Sequence, residues 1–187
     1  MRNVLSGLLV LVALGALASA GSVQRAASRN YAAPASSPLA AGCPLIPVEG
    51  IRANQLKSTF NEGRAGHIHH AIDILAPRGT PVLAAVDGTV RKLFLSRAGG
   101  ITLYEFDRTG ERSYYYAHLD GYAPGIREGL AVHRGDVLGY VGTTGNAPEG
   151  TPHLHFAIEI LPPSKEWWKG EAIDPYPILT TPASALR

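Results

Sequence analysis

All seven histidines of this sequence fall between His67 and His155, in short clusters whose spacing suits metal and proton chemistry. The tightest is His153-Leu154-His155-Phe156. In a strand, residues two apart share a face, so both imidazoles project together, roughly 7 Å apart, while Leu154 and Phe156 turn toward a core. One ring can then ligate a metal while the other reaches a substrate or an activated water. A second cluster, His69-His70-Ala71-Ile72-Asp73, sets a histidine and a carboxylate four residues apart. A straight strand would hold them about 13 Å apart, too far for one zinc ion with ligand bonds near 2 Å. A bent chain could bring them onto one ion. Ile72, Ile74 and Pro77 favour a strand entered through a turn, with Asp73 in the strand and His69 at its bent entrance.

The third cluster, Tyr114-Tyr115-Tyr116-Ala117-His118-Leu119, reads as a half-buried strand with His118 at its end. There His118 serves either as a satisfied structural histidine or as a base at the rim of a cleft. His67 and His70 lie close enough in sequence to support the metal ligands or to substitute for them. Tyr115 and Tyr116 are candidates for the border of a groove. His133, in a turn before Arg134-Gly135-Asp136, belongs on the surface. Each cluster also has a plain alternative. A lone His-x-His can be a solvated strand face, Asp73 a turn-capping carboxylate and His69 a loop residue.

These side chains need a scaffold of short strands. The 187 residues include 21 Gly and 14 Pro, more than a helical bundle carries. Strand-like runs at 81–86, 89–95, 101–107, 113–118, 137–141 and 153–160 alternate with turn signals such as Asp87-Gly88 and Gly145-Asn146. Residues 56–60 are a candidate for one short helix. The expectation is a single mostly β domain over residues 44–180. Residues 1–20 carry Arg2, an apolar run and Ala18-Ser19-Ala20, the pattern of a secretory signal peptide cleaved near Gly21, with an uncleaved membrane anchor as the rival reading. After cleavage no stable membrane insertion is expected. Residues 21–43, rich in Ala, Ser and Pro, read as a flexible linker and 181–187 as a tail. Cys43, the only cysteine, excludes an internal disulfide and is expected to be a lone thiol, its surroundings only faintly like a lipoprotein box. A net charge of +2 gives no sign of a nucleic-acid partner.

Taken together, these motifs resemble the lysostaphin/LytM-type zinc metallopeptidases, which cleave peptidoglycan peptides. The resemblance covers roughly residues 50 to 178 and rests on His69–Asp73 with the following Ile74-Leu75-Ala76-Pro77-Arg78-Gly79-Thr80-Pro81-Val82, on Tyr116-Ala117-His118-Leu119, on Val132-His133-Arg134-Gly135-Asp136-Val137, on Gly142-Thr143-Thr144-Gly145, and on Thr151-Pro152-His153-Leu154-His155-Phe156. It implies a single antiparallel β-sheet domain with a substrate groove, one Zn2+ per chain held by His69, Asp73 and His155, and catalytic histidines at His118 and His153. His67, His70 and Tyr116 then fall into supporting or groove positions. The chain departs from the family's usual pattern at Ala71, where glycine is common, and at Ala157, where glutamate often stands. An unusual backbone at residue 71 would strain an alanine. Trp167-Trp168 follow Pro162-Pro163 and are expected to close a core edge rather than to contact glycan. A non-catalytic relative that binds wall or activates another hydrolase is the alternative, but such members typically lose metal ligands. A metal-storing β domain would leave His118 and His153 unexplained. No motif names a regulatory partner.

Overall fold

A computed structural model describes residues 43–64 and 66–181. The expected signal peptide, almost all of the linker and most of the tail lie outside the described residues. Strands β1 (Gly63–Arg64) and β2 (His67–Ile68) form a small hairpin sheet of their own. Among the described residues nine further strands make one sheet: β3 (Ile72–Leu75), β4 (Pro81–Leu83), β5 (Gly88–Ser96), β6 (Gly100–Asp107), β7 (Arg112–Tyr122), β8 (Ala131–Val132), β9 (Val137–Val141), β10 (His153–Ile160) and β11 (Glu171–Ile173). Every pairing is antiparallel. The expected mainly β, antiparallel fold is therefore the observed one.

Two strands organise the sheet. β10 pairs with β7 along one edge, and with β3 and then β11 along the other. β7 is the longest strand; it pairs with β6 and β10 in its first half and with β9 in its last residues. Side-chain alternation sends Ile72 and Ile74, Tyr114 and Tyr116, and Leu154 and Phe156 into one core with Leu103, Leu119, Leu138 and Val141. Each large apolar side chain buried there contributes about 1.5–3 kcal/mol, which ties the strands of the site rigidly together.

The helix expected at 56–60 does not form. Leu56 is already extended (φ −73°, ψ 149°), and the chain then turns, with the Thr59 and Phe60 carbonyls accepting the Glu62 and His70 amides. Helical turns occur instead at Ala53–Gln55, a 3-10 turn, and at α1 (Pro175–Thr180), where the Asp174 carboxylate accepts the Tyr176 amide and Pro175 starts the helix. Trp167 packs against Phe94 and Tyr104 on the sheet face of Tyr115, outside the core whose edge it was expected to close, and Trp168 is exposed. His133 is exposed, as expected.

Candidate metal centre

Strand register sets the first pair. Asp73 on β3 lies directly opposite His155 on β10, and both side chains leave the face opposite Ile72, Ile74, Leu154 and Phe156. His153 follows on the same face of β10. His69 reaches this pair through a bend in the chain at His70, whose φ is 55°. That left-handed residue is His70, not Ala71, so the alanine in the place of a glycine sits fully buried on ordinary backbone without strain.

His118 arrives by another route. Strict alternation along β7 would send it into the core beside Tyr116. Instead, Ala117 and His118 together oppose the single residue Thr102 between the Leu103–Tyr116 and Ile101–Leu119 pairs. This bulge, with His118 at φ 61°, turns its ring to the face of His153 and His155 and returns Leu119 to the core.

Backbone carbonyls orient three of the four rings. Nδ1 of His69 lies 3.0 Å from the Thr59 carbonyl, Nδ1 of His118 lies 2.8 Å from that of Thr144, and Nδ1 of His153 lies 2.7 Å from that of Thr151. A carbonyl only accepts, so each Nδ1 carries the proton and each Nε2 presents a lone pair when the ring is neutral. The His69 Nε2 lies 3.2 Å from Asp73 Oδ1 and 3.0 Å from His155 Nδ1, which is itself 3.3 Å from the same oxygen. Nε2 of His153 stands 3.7 Å from that oxygen.

This triangle fits a metal. Tetrahedral zinc with bonds near 2.0–2.2 Å separates its donor atoms by roughly 3.3 Å, close to the three spacings seen. Asp73 Oδ1 is buried and has no hydrogen-bond partner among the described residues. With one proton on each ring, the His69 lone pair faces this oxygen with no hydrogen between them, an arrangement that a cation resolves. Burial by itself raises the Asp73 carboxyl, but contacts with His155, His69 and Arg64 outweigh it and hold the group well below the usual carboxylate range. Burial lowers His155, and it lowers His118 to about 4 despite the opposing Thr144 carbonyl. Both rings are thus neutral at neutral pH.

The cluster floors a groove of about 450 Å³, bordered by Arg64, His67 and Tyr115 and by the 146–148 loop. His67 lines the groove wall. His70 does not join the cluster; it is exposed and packs edge-on against Phe60. The expectation that Tyr116 supports the site or borders the groove is corrected. Strand parity points it into the core, where its hydroxyl donates to Glu105 and accepts the Ala85 amide at 2.9 Å. Its neighbour Tyr115 has the groove position. Sequence reasoning missed Thr59, Thr144 and Arg64, whose Nη2 donates to Asp73 Oδ2 at 2.7 Å. Their roles depend on chain reversals that no local pattern announces.

An antiparallel sheet that floors a groove with two histidines and an aspartate around one ion-sized space, and two further imidazoles beside it, defines a metallopeptidase. Residues 67–175 match peptidase family M23, and the chain belongs to that family. It is 36% identical over 133 residues to an L-Ala–D-Glu endopeptidase of Bacillus subtilis, a match covering 66% of this chain and 39% of that protein. It is 38% identical over 94 residues to a DD-carboxypeptidase/endopeptidase of Neisseria meningitidis, covering 50% of this chain and 20% of the relative. The chain thus matches well under half the length of either. Its fold is similar to the catalytic domain of lysostaphin from Staphylococcus simulans, with a TM-score of 0.56 and 28% identity over 69% of this chain and 96% of that one.

Proposed function

We propose that this chain is an exported zinc-dependent endopeptidase that hydrolyses peptide bonds of bacterial peptidoglycan, in cross-links or stem peptides. The observation that carries this reading is the convergence of His69 Nε2, Asp73 Oδ1 and His155 Nδ1 within 4.8 Å of one another on a groove floor. These three residues hold one Zn2+ per chain, and His118 and His153 are the catalytic pair. Bound zinc supplies a Lewis acid that lowers the pKa of water to about 7 and polarises a scissile carbonyl. His118 and His153 stand with ring centroids 4.9 Å apart, each with its Nδ1 proton held by a backbone carbonyl. Their Nε2 atoms are therefore ready to accept a proton from the attacking water, and the ring that takes it can return it to the leaving amine. A protonated ring also donates to the developing oxyanion. Among the described residues neither Ser nor Cys lines the groove, which supports one-step hydrolysis without a covalent intermediate.

Residues 1–20 direct export and are removed, residues 21–43 act as a linker, the catalytic domain spans 44–180 and residues 181–187 are its tail. Among the described residues no helix is long and apolar enough to cross a membrane. Sequencing the amino terminus of exported protein tests the leader, with a start near Gly21 expected.

Activity is tested by measuring zinc per chain in the mature protein and analysing the muropeptides released from purified peptidoglycan. One zinc per chain and new amine ends are expected, and His155→Ala should lose both. Stoichiometric zinc with no new amine ends would sink the endopeptidase reading and leave a wall-binding module. The names of the two relatives denote different bonds, so the same digest identifies the linkage cut.

A further inference from the structure

Arg64 stands on β1, in the hairpin that forms a separate sheet from the one carrying the cluster. Its Nη2 donates to Asp73 Oδ2 at 2.7 Å and to Glu62 Oε2 at 3.2 Å. The other Asp73 oxygen, Oδ1, faces His69 and His155 at 3.2 and 3.3 Å. The carboxylate is thus divided, one oxygen committed to a guanidinium and one left to the space between the rings. The segment preceding Arg64 supports the same residues from behind. Thr59 Oγ1 accepts the Asp73 amide at 3.2 Å, and the Thr59 carbonyl takes the His69 ring proton.

We infer that Arg64 is the positioning residue that makes Asp73 a one-oxygen metal ligand. By holding Oδ2 it fixes the plane of the carboxylate, opposes two-oxygen binding and keeps the lone pairs of Oδ1 on the shared ion. Contacts of this kind behind a metal ligand typically govern 10–100-fold in affinity, roughly. A competing role, reading a carboxylate on the substrate from the groove wall, fits less well. Arg64 already lies between two carboxylates, so a third would leave its charge outnumbered. The Asp73 end of the pair is sheltered, its side chain 15% exposed, while the Arg64 side chain is 39% exposed. This inference rests on the zinc reading above, but zinc affinity tests it without any turnover.

The experiment measures zinc affinity of the full mature chain by competition with a chromophoric chelator, together with the melting temperature of the metal-free protein. Arg64→Met should bind zinc about 10–100-fold more weakly with its metal-free melting temperature unchanged. Arg64→Lys, which restores a single cation, should recover part of that loss. Glu62→Gln removes the charge of the other partner of Arg64 and leaves the Asp73 bond standing, so its affinity should stay within about twofold of the parent. Parental affinity in Arg64→Met would overturn the inference. So would an equal loss in Glu62→Gln, which would assign the effect to the hairpin rather than to the Asp73 bond. A parent that takes up no zinc would overturn both this inference and the proposed function. A parent that binds zinc and cuts nothing would remove the endopeptidase reading alone and leave Arg64 in its role.

Discussion

His118 carries its ring on left-handed backbone, φ 61°, which costs a non-glycine residue about 1–2 kcal/mol. The surroundings enforce it, because the His118 amide donates to the Gly99 carbonyl at 2.8 Å and the ring to that of Thr144. A strained residue aimed at the candidate metal ligands and kept uncharged by burial suits proton transfer rather than ligation. His118→Ala should therefore retain zinc at parental affinity while kcat falls about 10²–10⁴-fold. Zinc titration beside muropeptide kinetics checks this, and a matching loss of zinc would make His118 a ligand instead. At this scale the sequence was readable where chemistry follows from spacing of two, as in His153 and His155 opposite Asp73. Tyr116 goes to the core because the bulge at Ala117 and His118 breaks the alternation that would otherwise put it on the face of His118. Arg64 was invisible because its contact depends on a hairpin folding back over β3, which no run of residues encodes locally.

The element that holds the His118 ring is a pair of turns, residues 98–100 and 144–146, locked backbone to backbone. Thr144 Oγ1 donates to the Leu119 carbonyl and accepts the Ile101 amide, and the Asn146 amide reaches the Ala98 carbonyl. Gly145 makes this contact possible. Its φ is 78°, and a Cβ there would lie 2.2 Å from the Ala98 carbonyl oxygen. Since that atom is backbone, the turn must move as a whole. Gly145→Ala should destabilise the domain by about 1–3 kcal/mol and lower kcat by releasing the Thr144 carbonyl from the His118 ring, with zinc affinity little changed. Thermal melts and kinetics on one preparation test it; an unaltered kcat would show that the ring does not depend on this turn. Most strands were legible from alternation and turn residues, since half-buried strands write period two into the chain. The extended Leu56 and the turn after it were not, because that path is set by where the chain must deliver Thr59 and Phe60 against His69 and His70, a tertiary demand.

At the scale of the whole molecule, the core carries a group that ties global stability to pH. Glu105 on β6 is fully buried where β6, β7 and the Ala85 segment meet, with the Tyr116 hydroxyl donating to it. Burial raises its pKa to about 8, against opposing contacts from Tyr116 and the Ala85 and Val86 amides. Glu159 on β10 moves the same way, to about 7, through burial. A carboxyl raised on folding binds a proton more tightly in the folded state, so the sign is opposite to that of a salt-bridged acid. Its contribution is fully present below the ordinary carboxylate range, falls as pH rises and is gone once pH passes about 8. The whole domain should therefore lose on the order of a few kcal/mol between pH 5 and 9 from Glu105. Because the group sits in the shared core, the loss should appear as a shift of the single unfolding transition rather than fraying of an edge strand. Glu105→Gln keeps a neutral side chain of similar shape and should flatten the dependence of melting temperature on pH, most clearly above pH 7. Glu159→Gln should flatten it less, since that residue is only partly buried. Metal-free protein is the right sample, because zinc binding adds its own proton linkage through the histidines. If Glu105→Gln melts with the parental slope across this range, the buried carboxyl is not what couples the fold to pH.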